Sequence, residues 1–220
     1  MIPWWFYPVW RWSSHFSRGS LPAWARRQRQ SIHGKVLNVG AGGDLGDSVG
    51  HALSIDIDPG RRPDIVADVS NLQGLFAANT FDAVFMLEVL EHVKNPRRAM
   101  AEVLRILKPG GMLLLSTPFI FEIHDAPADF WRFTRFGISE LLREFEMVQI
   151  EPRNGYCKAM YTPLIRLMYS KFILDRFIGL TFTILSVPLY PMIVILDLII
   201  SSDYAVTGYH VKATKPMASS

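Results

Sequence analysis

The stretch Val36-Leu37-Asn38-Val39-Gly40-Ala41-Gly42-Gly43 decides the fold. It reads as a short buried strand running into a glycine turn. Three glycines in four positions give a backbone that turns sharply and approaches a ligand with no Cβ in the way. Alone, the octapeptide is either a cradle for a nucleotide-like ligand or an ordinary turn between strand and helix, because a short glycine pattern is a weak motif. The spacing of everything downstream separates the two readings.

From Lys35 the pattern alternates strand and helix. Ala52 to Asp58 alternates as a second strand, and its acid Asp56 falls sixteen residues beyond Gly40, where a carboxylate can accept two ribose hydroxyls. Asp64 to Val69 is a short third strand holding Asp68 near its end, and Phe81 to Glu88 is a fourth. Asn95 to Leu107 predicts a helix, with Pro96 suited to its first position and Ala99, Val103, Ile106 and Leu107 on one face. That helix is expected to stop at the turn Lys108-Pro109-Gly110-Gly111. Met112 to Thr117 is nearly all apolar, as a central parallel strand covered on both faces should be. Glu144 to Glu151 and Gly208 to Pro216 read as strands six and seven. The pattern predicts an α/β, doubly wound sheet with its ligand at the carboxyl ends of the strands.

These residues together resemble the class I S-adenosylmethionine-dependent methyltransferases. The likeness covers roughly residues 34–150 and rests on five separated motifs in order: Val36 to Gly43, Ile55 to Asp58, Asp68-Val69, Glu88 to Val93, and Leu107 to Gly111. Asn38 departs from the family's usual Asp, and Gly43 replaces a bulkier residue. The resemblance implies a Rossmann-like seven-stranded sheet whose last strand is antiparallel, and S-adenosylmethionine as cofactor. It further implies that Gly40, Ala41 and Gly42 contact the amino-acid end of the cofactor, that Asp56 holds the ribose, and that Ile57 beside it belongs to the cofactor site. Asp68 and Val69 would meet the adenine, and Leu87 and Glu88 would line the methionine side. A nicotinamide dehydrogenase shares the sheet and the acidic second strand. The third glycine of its fingerprint would fall on Leu45, and it accounts for neither Glu88 to Val93 nor the Lys-Pro-Gly-Gly turn. Methyl transfer is an in-line displacement in which the protein mainly orients the reactants, so no metal and no covalent residue is demanded. His92 is expected to help fix the start of the following helix.

The loop after strand five, Pro118 to Thr134, is expected to roof the acceptor site. Its Asp129-Phe130-Trp131-Arg132-Phe133-Thr134 resembles a segment of small bacterial methyltransferases of cell-surface glycan pathways, which implies a sugar-like acceptor. His124 is the candidate general base, since a hydroxyl acceptor must lose a proton and a neutral imidazole accepts one near pH 7. Asp129 and Arg132 are candidates for the same site, or a structural clamp on each other.

Half the residues are hydrophobic, and the excess is local. The single cysteine, Cys157, excludes an internal disulfide and reads as a packed residue. The first 35 residues hold six Lys and Arg and no acid, and four of the six tryptophans fall within the first twelve. Early proline and bulky indoles argue against a secretory signal peptide. Trp beside Arg is the composition of a membrane interface, with an arm folded onto the domain as the alternative; base stacking fits less well, and no nucleic-acid partner is expected.

About fifty residues separate strands six and seven, and Phe177 to Leu196 carry no charge. Because both strands belong to one sheet, a single complete membrane crossing is excluded. Pro188-Leu189-Tyr190-Pro191 is expected to divide the run into two half-helices dipping into or lying on one leaflet, with Arg166, Lys171 and Arg176 snorkelling to the headgroups. A soluble lid or dimer surface is the alternative. The expected organisation is an aromatic and basic arm over residues 1–33, a methyltransferase domain over 34–155 and 206–216, and a hydrophobic helical insertion over 156–205. The expected function is methyl transfer to a small, glycan-like or lipid-linked acceptor by a bacterial enzyme, peripheral or monotopic on the cytoplasmic side of a membrane. An inactive membrane-associated scaffold on the same fold is the alternative from another class. The sequence leaves the oligomeric state open.

Overall fold

The structure, a computed structural model, describes residues 7–218. Trp4, Trp5 and Phe6 of the aromatic arm lie outside them. The chain forms two compact units. One comprises Leu21–Thr117, Asp125–Glu151 and Tyr209–Ser220; the other comprises Met1–Ser20, Pro118–His124 and Pro152–Gly208.

The first unit is built on a seven-stranded sheet. Its strands are β1 (Val36–Val39), β2 (Leu53–Asp56), β3 (Ile65–Val66), β4 (Phe81–Leu87), β5 (Leu107–Pro118), β6 (Glu146–Arg153) and β7 (Gly208–Thr214). They lie in the order β3-β2-β1-β4-β5-β7-β6. β1 pairs in parallel with both β2 and β4, and β4 with β5. β7 is antiparallel, as the resemblance implies: Gly110 N–H donates to the Lys215 carbonyl, and Lys215 N–H to that of Gly111. The sheet therefore changes winding direction between β1 and β4. The turns leaving their carboxyl ends flank the crevice in which such sheets bind ligands.

Helices cover both faces. α2 (Leu21–Gln30) and α3 (Gly43–Val49) lie on one side, where Leu21, Trp24, Ala25 and Val49 join Val36, Phe85, Leu87 and Leu114 in one buried cluster. Trp24 also stacks on His210 of β7, with ring centroids 4.8 Å apart. α4 (Pro96–Ile106) buries Ala99, Met100, Val103 and Ile106. Its first turn is held by Asn95, whose side-chain oxygen accepts from the N–H of Arg98, with Pro96 at a position where no N–H is needed. α5 (Arg135–Leu141) starts the same way from Thr134, which accepts from Gly137 N–H.

Lys108-Pro109-Gly110-Gly111 does not stand outside the sheet. β5 already begins at Leu107, opposite Phe81, with an irregular register between Phe81 and Ala83. The turn lies inside the strand because Lys215, immediately after β7, supplies partners for Gly110 and Gly111.

The second unit is helical. α1 (Tyr7–Arg18), α6 (Tyr156–Arg166) with a 3₁₀ turn over Leu167–Tyr169, and α7 (Ile173–Ile199) pack around a small core of Phe16, Ile165, Met168 and Ile193. The insertion between β6 and β7 is thus helical, as expected, but not divided. Pro188 and Pro191 lie inside one helix of 27 residues, about 40 Å long. Two prolines three residues apart remove two internal hydrogen bonds, and flanking turns together with packing against α6 carry the helix through.

A buried carboxylate of α4 staples that helix to the loop after β3. Glu102, 6% exposed, takes both Nε and Nη2 of Arg105 and accepts from the backbone N–H of Leu72 at 2.9 Å. Arg105 foremost, then the Leu72 amide, hold the Glu102 carboxyl below its ordinary pKa. A depressed folded-state pKa stabilises the fold above the unfolded value and ceases to do so as pH falls through the folded one. Glu102→Gln should therefore cost about 1–3 kcal/mol at pH 7 in urea unfolding, and the gap from wild type should narrow as the pH is lowered below the ordinary glutamate range.

Candidate active site

The glycine turn leaves β1 at Gly40, whose φ of +91° favours a residue without a side chain. A Cβ there would also meet Val89 Cγ2 at 2.4 Å, so the turn lies directly against the segment that leaves β4. Gly40 N–H donates to the Ile55 carbonyl of β2. Ala41 N–H donates to Asp56 Oδ2 at 3.0 Å, and Asp58 N–H to Asp56 Oδ1 at 2.9 Å. Glycine turn and acid are thereby one rigid piece. A carboxylate offers about four acceptor positions; two are taken by backbone, which leaves acceptor capacity for a pair of vicinal hydroxyls.

Ile57, next in the chain, is 70% exposed at the carboxyl end of β2, and Val66 of β3 is 55% exposed. These exposed apolar side chains provide a surface for a flat aromatic ring. Asp68 is exposed, its Oδ1 accepting from Ser70 N–H, while Val69 is buried. Glu88, just after β4, adopts the left-handed region at φ 55° and is 8% exposed. Ser116 of β5 donates its hydroxyl to Glu88 Oε1 at 3.0 Å, while the Glu88 N–H reaches the Ser116 carbonyl. Leu87 is buried in the sheet. The residues implied for the cofactor thus come from the ends of β1, β2, β3 and β4. An acid with acceptor capacity, exposed apolar side chains and a glycine turn fit a nucleoside joined to a charged amino-acid chain.

The segment Asp125 to Thr134 is sewn to the segment after β4. Phe130 and Trp131 N–H both donate to the Glu91 carbonyl, and Trp131 Nε1–H donates to that of Val93 at 2.9 Å. His92 Nδ1 lies 2.8 Å from the Ala128 carbonyl and so carries a proton. His92 thus ties down this loop, while the start of α4 is held by Asn95. Asp129 and Arg132 form a two-pronged ion pair: Arg132 Nη1 and Nη2 donate to Asp129 Oδ1 and Oδ2 at 2.6 and 2.7 Å. The Asp129 side chain is 1% exposed. The three acceptor-side candidates therefore divide. Asp129 and Arg132 hold each other within the sheet unit, and His124 belongs to the helical unit, its Nδ1 3.3 Å from the Glu122 carbonyl and its ring edge-on to Phe121.

Sequence reasoning passed over Arg61. Its guanidinium lies where a Cβ on Gly42 would come within 2.3 Å of Nη1, and it pairs with Asp125 at 3.5 Å. The doubled arginine after Pro59-Gly60 was its only signal. Ser116 was equally hidden, as one more small residue in an apolar strand. Burial first, then neighbouring Asp197, pushes the Cys157 thiol pKa up, which disfavours its thiolate.

A model of the methyltransferase domain family matches residues 45–115. The chain is 32% identical over 172 residues to a ubiquinone biosynthesis O-methyltransferase of Dechloromonas aromatica, an alignment covering 63% of this chain and 74% of that protein. The chain belongs to the S-adenosylmethionine-dependent methyltransferases. A demethylmenaquinone methyltransferase of Renibacterium salmoninarum is 46% identical over a shorter stretch, 26% of this chain and 24% of that protein. Among solved structures, a methyltransferase from Archaeoglobus fulgidus superposes with a TM-score of 0.58 at 15% identity, over 94% of this chain and 99% of its own. That likeness shows the fold. S-adenosylmethionine, the cofactor of the family, supplies an electrophilic methyl group on a sulfonium, with a neutral thioether as leaving group.

The tie between His92 and Ala128 makes a local prediction. His92→Ala should leave the far-ultraviolet circular dichroism unchanged while chymotrypsin cuts at Phe130 or Trp131 several-fold faster, read by mass spectrometry of the first fragments.

Proposed function

We propose that this methyltransferase acts on a lipid-linked acceptor presented at a membrane surface. The observation that carries this reading is α7: its most apolar window has a mean hydropathy of 2.0, and only 17% of that window is buried within the protein. A core helix of a water-soluble protein would be mostly covered. Relatives named for ubiquinone biosynthesis and for demethylmenaquinone bring a second line of support, because both names denote quinones. A quinone precursor carrying a prenyl tail is therefore the acceptor class this reading favours, and a sugar-like acceptor on a lipid carrier is the next.

In this reading Asp56 holds the ribose hydroxyls, Ile57, Asp68 and Val69 the adenine, Gly40 to Gly42 the amino-acid end, and Leu87 with Glu88 the methionine side. The chain's remaining work is to orient the acceptor and remove its proton. The Asp129–Arg132 pair spends its charges internally and acts as a clamp on the acceptor loop. His124 is left as the base for a hydroxyl acceptor, with its ring placed by Phe121 and the Glu122 carbonyl.

Three measurements test this. Calorimetry should show S-adenosylmethionine binding to wild type and a loss of at least about tenfold with Asp56→Ala, the cost of one hydrogen bond to a charged group. Labelled-methyl transfer, run in parallel on a lipid extract and a soluble metabolite extract of the source cells, should place the label in the lipid. Label confined to the soluble extract would overturn the acceptor class. His124→Ala should cut turnover at least about a hundredfold with cofactor binding intact; near-normal turnover removes His124 from the chemistry.

A further inference from the structure

α7 has its polarity inside out. Gly179, Thr183, Ser186, Tyr190, Ile193 and Asp197 recur at alternating steps of four and three and form the face turned to α1, α6 and the 3₁₀ turn. A Cβ on Gly179 would sit 2.1 Å from the Met168 nitrogen, so backbone meets backbone there. Thr183 reaches Met168, Trp12 Nε1–H donates to Ser186 Oγ at 2.7 Å, His15 bonds the Tyr190 hydroxyl, and Asp197 Oδ1 accepts from Cys157 N–H. The opposite face carries Phe177, Ile184 and Ile195, exposed by 62%, 62% and 55%.

In water a helix turns its large apolar side chains inward. Gly, Thr and Ser at the packing face, with large apolar side chains also turned outward, is the arrangement of helices whose surroundings are as apolar as their side chains. The hydroxyls agree: Thr181 and Thr183 donate to the Phe177 and Gly179 carbonyls one turn back, and Ser186 to that of Thr183. They satisfy themselves within the helix, as is required where water is scarce. Leaving aside the fully buried Arg153, the helical unit also carries six Lys and Arg against four Asp and Glu, an excess that complements anionic headgroups.

The same unit fixes the orientation. Asp197 pins the end of α7 to the start of α6, so the two form a hairpin whose tip carries Lys171 and Arg176, both exposed. α6 and its 3₁₀ turn rise only about 22 Å, short of the hydrocarbon thickness of about 30 Å. A hairpin inserted upright would strand both cations inside the hydrocarbon, at about 3 kcal/mol each or more. Laid flat, it keeps them among the headgroups.

We infer that α7 lies in the plane of an anionic lipid surface, submerged along its Phe177–Ile184–Ile195 face, and neither crosses the bilayer nor dips into it end-on. This rests on the membrane reading of the function and adds its geometry. The test uses the full chain with Cys157→Ser and single cysteines at Phe177, Ile184 or Ile195, each spin-labelled and mixed with phosphatidylglycerol-rich vesicles. The protein should float with the vesicles and stay bound in high salt, because the apolar face holds it. Oxygen and nickel-chelate collision rates should then place all three labels at one shallow depth, about 5–10 Å below the headgroups. Depths graded from label to label, approaching the separation of about 27 Å between the outermost two along the helix axis, would overturn the flat orientation while leaving the membrane reading standing. The same follows if the protein floats with all three labels in water. Labels sequestered from both reagents without vesicles would assign the face to a second copy of the chain. Failure of the Cys157→Ser parent itself to float would remove the membrane reading and this inference together.

Discussion

Strands β6 and β7 lie side by side at one edge of the sheet, although 54 residues separate the end of one from the start of the other. Everything distinctive about the chain follows from that constraint. The excursion must close on itself, so it is a hairpin, and its root is fastened twice. Asp197 joins the end of α7 to the start of α6, while Thr207 donates its backbone N–H to the Arg153 carbonyl and accepts from the Asn154 amide. Arg153, with no exposed surface, adds its guanidinium to the Thr207 carbonyl, and Asn154 reaches back to the carbonyls of Phe16 and Ser17 at the end of α1. Buried polar groups at this density make the root rigid because each pairs with another instead of with water.

The cofactor side depends on a similar economy of local ties. One carboxylate, Asp56, accepts from the glycine turn and from the residue two positions on, so the turn and the end of β2 move together. The parallel register of β1 with β2, Val39 opposite Ile55, sets that distance. The loop proposed to face the acceptor is organised differently, by backbone and side-chain bonds from Ala128 to Trp131 onto Glu91, His92 and Val93. A fixed cofactor half and a stitched-down loop are what an in-line displacement asks of its protein, since orientation supplies most of the acceleration available to the chain.

The sheet was legible because its signals are local. A glycine turn after a buried strand, an acid at a fixed interval and an apolar fifth strand each follow from residues close together in sequence. What could not be read depends on partners far away. Lys108-Pro109-Gly110-Gly111 looks like a stop until Lys215, just beyond β7, supplies hydrogen bonds to it. Pro188 and Pro191 look like a turn until α6 packs along the helix that contains them. The aromatic and basic arm looks like one piece, yet it divides near Gly19 and Ser20, with α1 joining the helical unit and α2 the sheet. Among the candidate site residues, Asp56 was visible by spacing, whereas the placement of Arg61 was not, because no pattern announces which of two adjacent arginines will fold over a glycine.

Pro188 and Pro191 have an effect beyond interrupting a pattern. Proline has no N–H, so the carbonyls of Ile184 and Val187, four residues earlier, lose the donors that a helix would give them. Both residues are exposed. In hydrocarbon each carbonyl would go unsatisfied at a cost of several kcal/mol, whereas among headgroups water reaches them. In the orientation proposed, these two missing hydrogens would limit how far the Ile184 and Val187 backbone can sink below the headgroups.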